Sequence, residues 1–291
     1  MRIQTFTIVA GSEACNARCP YCVARMTPAY DLTAKLPPVN WRNFRIACGL
    51  ARSTGVTTVL ITGKGEPTLF PDQITEFLRA MQRYEFPFVE IQTNGIALAQ
   101  GKPATRDHLA LWYELGMTTI ALSLVHWEPK RNQPVYLPQG PDYFDLGLWI
   151  DRMHKCGFSV RLSVIMLRGW IDTPEEVESM AGFCRKHGVE QLTVRSVTRP
   201  QAAADPEVAR FVDEHLLAAD AIQDIRKRLD AKGKRLLELV HGAVVYDLDG
   251  QNLCLSNCLT IDPGDEQIRQ LIFWPDGHLR YDWQYPGAIL L

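Results

Sequence analysis

Between residues 3 and 197 the chain alternates short apolar, β-branched runs with amphipathic stretches of helical period, and few architectures accept that order. The runs are 3–10, 57–62, 88–93, 118–125, 159–167 and 191–197; the stretches between them are 41–54, 71–84, 105–115, 143–156 and 173–187. Boundary residues agree with the period. Pro71-Asp72 and Asp172-Thr173-Pro174 open helices, while Gly55, Gly116, Gly157 and Gly188 each close one just before a strand. Strands separated by helices can pair only in parallel, because a parallel neighbour needs a long crossover. Right-handed crossovers then curl such a sheet into a partial or full barrel, or leave it open and doubly wound.

A chain of 291 residues exceeds one such unit. Residues 1–200 are expected to form the α/β core, and 201–235 a long helix closing it, with its helical pattern over 206–231. Residues 236–291 are expected to form a small β-rich C-terminal extension near the mouth of the core, since "LELVHGAVVYDLDG" and "RQLIFWPDGHLRYDW" alternate with period two around a Pro275-Asp276-Gly277 turn. The four prolines in 126–142 mark a long loop after the fourth strand that could line a site.

Composition excludes several functions. Apolar residues make up 46% and charged residues 22%, with a formal net charge of −2, so the whole chain has no electrostatic draw toward nucleic acid or anionic lipid. The densest basic run, 225–235, reads as a solvated helix end. No run approaches the ~18 apolar residues of a membrane span, and the first ten residues lack a secretory pattern. Eight cysteines are therefore expected to stay reduced or metal-bound in the cytoplasm rather than pair as disulfides.

Chemistry concentrates at the expected C-terminal ends of the strands, where parallel α/β folds place their sites. "EACNARCPYCVARM" (13–26) puts Cys15, Cys19 and Cys22 after the first strand. Gly63-Lys64-Gly65-Glu66-Pro67, Thr93-Asn94-Gly95 and Ser123 follow the next three, and Arg161 and Ser163 lie within the fifth. Polar groups in otherwise apolar strands cost desolvation unless something binds them. Three readings of the thiols stand side by side. A structural zinc site needs a fourth Cys or His close by, and the next ones along the chain are Cys48 and His108. A redox Cys19-Pro-Tyr-Cys22 pair leaves Cys15 idle. A [4Fe–4S] cluster held by three thiolates keeps one iron open to an outside ligand.

The C-x3-C-x2-C spacing with Tyr21 before the last cysteine resembles the radical S-adenosylmethionine (radical SAM) superfamily. "TGKGEP" (62–67) resembles that family's glycine-rich Glu-Pro motif after the second strand, and "QTNG" (92–95) its third-strand end. The resemblance covers roughly residues 3–198 and implies a (β/α)6 partial TIM-like barrel. It implies a [4Fe–4S] cluster on Cys15, Cys19 and Cys22, and SAM chelating the open iron. An electron from an external donor such as a flavodoxin or ferredoxin would then yield methionine and a 5′-deoxyadenosyl radical that abstracts hydrogen from a substrate. By the same resemblance, the segment Gly63, Gly65, Glu66 and Pro67 meets the SAM amino group. Thr93, Asn94, Ser123, Arg161 and Ser163 face its ribose or carboxylate, and Tyr21 its adenine.

Substrate contacts are expected from His126, Trp127, Arg131, Tyr136 and Arg195, with a small or medium-sized organic molecule as the main expectation and a peptide or RNA as its rival. Arg195 and Arg199 could bind an anion or pair with acids on the following helix. Cys254 and Cys258 form a C-x3-C pair that could hold an auxiliary cluster only with a further ligand. A redox-sensing metal protein without SAM turnover would have no use for the GxGEP and TNG segments.

Overall fold

The computed structural model describes residues 3–30, 32, 35–137, 142–200, 203–239, 242–256 and 268–291. The core runs β1 (Thr5–Val9), α1 (Val23–Met26), α2 (Trp41–Ser53), β2 (Thr58–Thr62), α3 (Pro71–Met81), β3 (Phe88–Thr93), α4 (Ile96–Gln100), α5 (Arg106–Glu114), β4 (Thr119–Leu124), α6 (Pro129–Tyr136), α7 (Leu146–Lys155), β5 (Ser159–Met166), α8 (Pro174–Lys186) and β6 (Gln191–Ser196). It continues with α9 (Pro206–His215), α10 (Ala219–Lys232), β7 (Lys234–Glu238), β8 (Val244–Leu248), β9 (Gln251–Ser256), β10 (Gln270–Phe273) and β11 (Leu279–Arg280). Every expected strand of the core is present, and its expected helices start within three residues of the expected positions. Asn40, Thr105, Asp145 and Thr173 each accept a backbone N–H in the first turn that follows.

β1 to β6 pair in parallel and in sequence order, giving an unclosed α/β sheet of partial TIM-barrel type. The register aligns two sets of alternate positions across it. Phe6, Val59, Val89, Ile120, Val160 and Leu192 belong to the buried apolar set under the helices. The other set, on the opposite face, carries Thr7, Leu60, Glu90, Gln92, Ser123, Arg161, Ser163, Thr193 and Arg195. Parallel strands buried on both faces are normally apolar on both. A polar inner face is therefore the first sign that this sheet encloses something other than core.

Two expectations change. The helical pattern over 206–231 forms two helices, not one. The chain is extended at Leu216 and buries Leu217, and the last carbonyls of α9 are taken up by Arg168, whose backbone N–H donates to His215 O (2.8 Å) and whose guanidinium donates to Glu214 O. The expected extension does not stand apart as a separate layer. β9 joins β6 in parallel, β10 joins β1 in parallel, and β11, β8 and β7 add antiparallel, so one eleven-stranded sheet results. Period-two patterning specifies a strand but not its neighbour. The basic run is the end of α10 up to Lys232, tied to α8 by Arg228 and Lys232 on the Glu178 carboxylate (2.6 and 2.9 Å), while Lys234 and Arg235 open β7.

β10 is seated by aromatic packing. Phe44 of α2 is fully buried and lies 5.1 Å, centroid to centroid, from both Phe77 and Phe273. Phe44→Ala is expected to cost about 3–5 kcal/mol, read as a lower denaturant midpoint with unchanged slope in urea unfolding.

Candidate active site at the strand ends

The cysteine loop leaves the end of β1 and is zippered to the segment after β2. Gly65 N–H donates to Ser12 O (3.0 Å) and Glu66 N–H to Ala14 O (2.9 Å). This ladder explains the glycine. A Cβ on Gly65 would lie 2.1 Å from Ala14 O and 2.7 Å from Glu13 C, both backbone atoms that cannot swing away. These N–H groups face the cysteine loop, so the backbone left to a SAM amino group here is its carbonyls. An ammonium requires acceptors, so the chemistry agrees.

The Glu66 side chain turns into the protein. Its buried carboxylate, 3% exposed, accepts from Thr68 N–H (3.0 Å), the Thr68 hydroxyl (2.5 Å), the Thr93 hydroxyl (2.6 Å) and Asn94 N–H (2.8 Å). Both oxygens are spent within the protein, so Glu66 positions the strand ends instead of presenting a charge to a cofactor. Burial raises its pKa, opposed by those donors. Pro67 begins the 3-10 turn that Glu66 caps, and Thr93, 2% exposed, also accepts Gly95 N–H (3.0 Å). Gly95 has φ +76°, and a Cβ there would meet Leu122 at 2.5 Å.

Asn94 links the third strand end to the cysteines. Its side-chain amide donates to Asn16 Oδ1 (2.8 Å) and to the Cys15 thiol (3.8 Å), while its oxygen accepts Ile96 N–H (3.0 Å). Cys15, Cys19 and Cys22 influence one another's charge, as a shared site requires. Burial pushes the Cys15 thiol up to about 11, with Ala17 N–H and the Asn94 amide pulling it back; burial also raises Cys19 well above the ordinary thiol value. The loop thus favours thiols over thiolates, and these would release protons when metal binds. Among the described residues no three His, Cys, Asp or Glu side chains converge tightly enough for a single metal ion. Three thiols with no fourth protein ligand beside them are the donor set of a [4Fe–4S] cluster that keeps one iron open to an outside ligand.

Tyr21, expected beside adenine, turns inward. Its hydroxyl hydrogen-bonds the Tyr136 hydroxyl at 2.6 Å, the two rings meet edge-on at 6.4 Å, and Tyr143 packs 5.6 Å beyond. Burial raises all three phenols well above their ordinary range, and the electrostatic influence of Cys19 reaches each of them. Tyr136 was expected on a substrate loop; that region folds instead into α6, which braces the cysteine loop, with Arg18 N–H donating to Tyr136 O (3.0 Å). Arg131 donates to Gly169 O (2.5 Å), and His126, 3% exposed, stacks on Trp127 at 4.0 Å and accepts Glu128 N–H (3.0 Å). His126, Arg131 and Tyr136 therefore hold α6 in place. A proline-rich polar stretch reads as loop, and only the Asn132 cap on Val125 and His126 N–H groups reveals the tight turn into a helix.

On the inner face, Arg161 pairs with Glu90. Burial raises Glu90, and Arg161 and Arg195 lower it. Glu90 was legible by the rule that singled out Arg161, a charge within an apolar strand, but was passed over. Ser123 and Ser163 are partners in register across β4 and β5. Arg199 pairs with Asp213 of α9 (2.6 Å), the acid-pairing alternative. Cys254 lies in β9 opposite Thr193, and Cys258 lies outside the described residues. Cys48 and Cys184 are buried in helices, their thiols pushed up to about 12 by burial.

The description "Radical SAM superfamily" matches residues 9–184, more than half of the chain. The chain belongs to the radical SAM superfamily: it is an enzyme of the class that works with a [4Fe–4S] cluster and SAM. Among curated relatives it is 27% identical over 172 residues to the mitochondrial GTP 3′,8-cyclase of Arabidopsis thaliana, covering 59% of this chain and 41% of that protein. It is 24% identical over 233 residues to the GTP 3′,8-cyclase of Rhizobium etli (strain CIAT 652), covering 78% and 60%. The chain thus spans about two-fifths to three-fifths of the length of these relatives. Its fold is similar to that of Streptococcus suis SuiB bound to S-adenosylmethionine, with a TM-score of 0.65 at 18% identity over 99% of this chain and 62% of that one. No helix among the described residues is long and apolar enough to cross a membrane.

Two predictions follow from the geometry. Gly65→Ala is expected to cost about 1–3 kcal/mol and to lower iron retained after anaerobic reconstitution and desalting, with helix content by circular dichroism unchanged. Burial, reinforced by Arg131 and opposed by Glu128, lowers the His126 pKa to about 4. The folded state then binds fewer protons than the unfolded one between about 4 and the ordinary histidine value of about 6.5. Stability is full above that window and falls as pH drops through it. Melting temperature is expected to fall from pH 7 to pH 5, and His126→Asn to flatten that slope.

Proposed function

We propose that this chain holds its [4Fe–4S] cluster through Cys15, Cys19 and Cys22. Using an electron from an external donor such as a flavodoxin or ferredoxin, it starts hydrogen abstraction on a small polar molecule bound over the inner face of the sheet. The observation that carries this reading is the three-thiol loop after β1, zippered through Gly65 and Glu66 to the end of β2 and through Asn94 to the end of β3. When bound, the cluster and SAM supply one-electron cleavage of the sulfonium and a 5′-deoxyadenosyl radical.

The chain's own residues do the rest. The backbone over 63–65 offers carbonyl acceptors to the SAM amino group, and Ser123 and Ser163 offer hydroxyls for its ribose. Tyr21, Tyr136 and Tyr143 form a buried wall behind Cys19 that keeps water from that side of the cluster. Arg161 pairs with Glu90 on the inner face, and the charge of Arg195 also reaches that carboxylate. Guanidiniums on this face suit a substrate carrying an anionic group. They also support a second reading, a purine nucleotide of the kind named in the GTP 3′,8-cyclases. The barrel interior suits a small molecule better than a folded RNA, because RNA docking needs a broad basic surface and the net charge is −2.

Anaerobic reconstitution is expected to give about four irons per chain and, with dithionite and SAM, release of 5′-deoxyadenosine. Cys19→Ala abolishes both and Cys254→Ala leaves both intact. Zinc in place of iron, or no cleavage under strong reduction, would sink the reading. Faster deoxyadenosine release with GTP than with ATP would favour the nucleotide reading.

A further inference from the structure

Lys64 stands at the variable position between the two glycines of the 63–67 segment, and nothing above uses its charge. Its side chain is buried, 7% exposed. The ammonium donates to Thr27 O and the Thr27 hydroxyl (2.8 Å each) and to Ala24 O, so three N–H groups meet three acceptors. Ala24 lies in α1, the single turn whose N-cap is Cys22, and Thr27 is its C-cap. Lys64 therefore pins, from the segment after β2, the turn on which Cys22 is carried.

The second observation concerns charge. These three partners are neutral, and a buried cation held only by neutral dipoles is costly. The groups whose charge reaches Lys64 are Cys22 and Glu13, and both favour its protonated form, against burial that lowers its pKa to about 8. An anionic assembly on the three thiolates would add to the counter-charge that Glu13 supplies. A cation beside an iron–sulfur centre favours the reduced, more negative form, because net charge and hydrogen bonding around the centre set its potential.

We infer that Lys64 is a positioning residue for the cluster, fixing the turn that carries Cys22 and acting as the buried counter-charge that stabilises the added electron. This rests on the proposal that Cys15, Cys19 and Cys22 hold the cluster.

The test compares the reconstituted full-length protein with Lys64→Met, Lys64→Gln and Lys64→Arg by iron content, circular dichroism and a redox titration followed by electron paramagnetic resonance. The neutral variants are expected to load iron and to show a more negative midpoint. At the wild-type midpoint their reduced-to-oxidised ratio falls about tenfold, a shift of ~59 mV for one electron. Lys64→Arg, which keeps the charge, stays nearer wild type. A fully loaded neutral variant with the wild-type midpoint would overturn the inference. So would loss of fold in both neutral variants, which makes the lysine purely structural. A wild-type protein that takes up no iron fails the cluster proposal instead, so the two failures are told apart by the wild-type arm.

Discussion

The buried carboxylate of Glu66 is the interaction on which the site depends. It gathers two hydroxyls and two backbone N–H groups from the ends of β2 and β3 into one junction. The same residue's own N–H reaches Ala14 in the cysteine loop. Three strand ends that share no sequence neighbourhood are thereby held in one arrangement. A carboxylate can do this in a dry setting because four donors replace the water it loses. Rigid presentation matters here, since ligands to a cluster must be held before the metal arrives.

Around that junction, residues with apparently reactive side chains turn out to be bracing. Tyr136 and Tyr21 join hydroxyls, His126 stacks on Trp127, and Arg131 reaches the turn after β5. Together they convert the stretch after β4 into a helix that leans on the cysteine loop. Tyrosines suit this wall because each fills volume like an apolar residue and still satisfies its own hydroxyl. On the inner face of the sheet lie Ser123 and Ser163, in register with each other, and Arg161, paired with Glu90.

The C-terminal strands solve a different problem. A six-stranded parallel sheet has two open edges, and open edges invite association. β10 covers the β1 edge and β9 the β6 edge, so the polar inner face is widened on both sides. Packing of Phe273 against Phe44 and Phe77 fastens β10 beneath the first helices, where the cysteine loop also begins. The edges are thus closed by residues remote in sequence from the strands they protect.

The sequence by itself determined the alternation of strands and helices, the parallel pairing that follows from it, and the placing of Cys15, Cys19, Cys22, the 63–67 segment and Asn94 at strand ends. These are local or periodic properties, written in spacing, β-branching and glycine. The polar inner face was legible too, as Arg161 and Ser163 in an apolar strand, and Glu90 carried the same signal. Only the tertiary structure decided what those polar groups touch. It turned Glu66 inward, paired Arg161 with Glu90, made Tyr136 a brace, split the helix at Leu216, and spread the last strands over both sheet edges. The reason is physical: a side chain's partner, and a strand's neighbour, depend on distances across the fold that no spacing along the chain encodes.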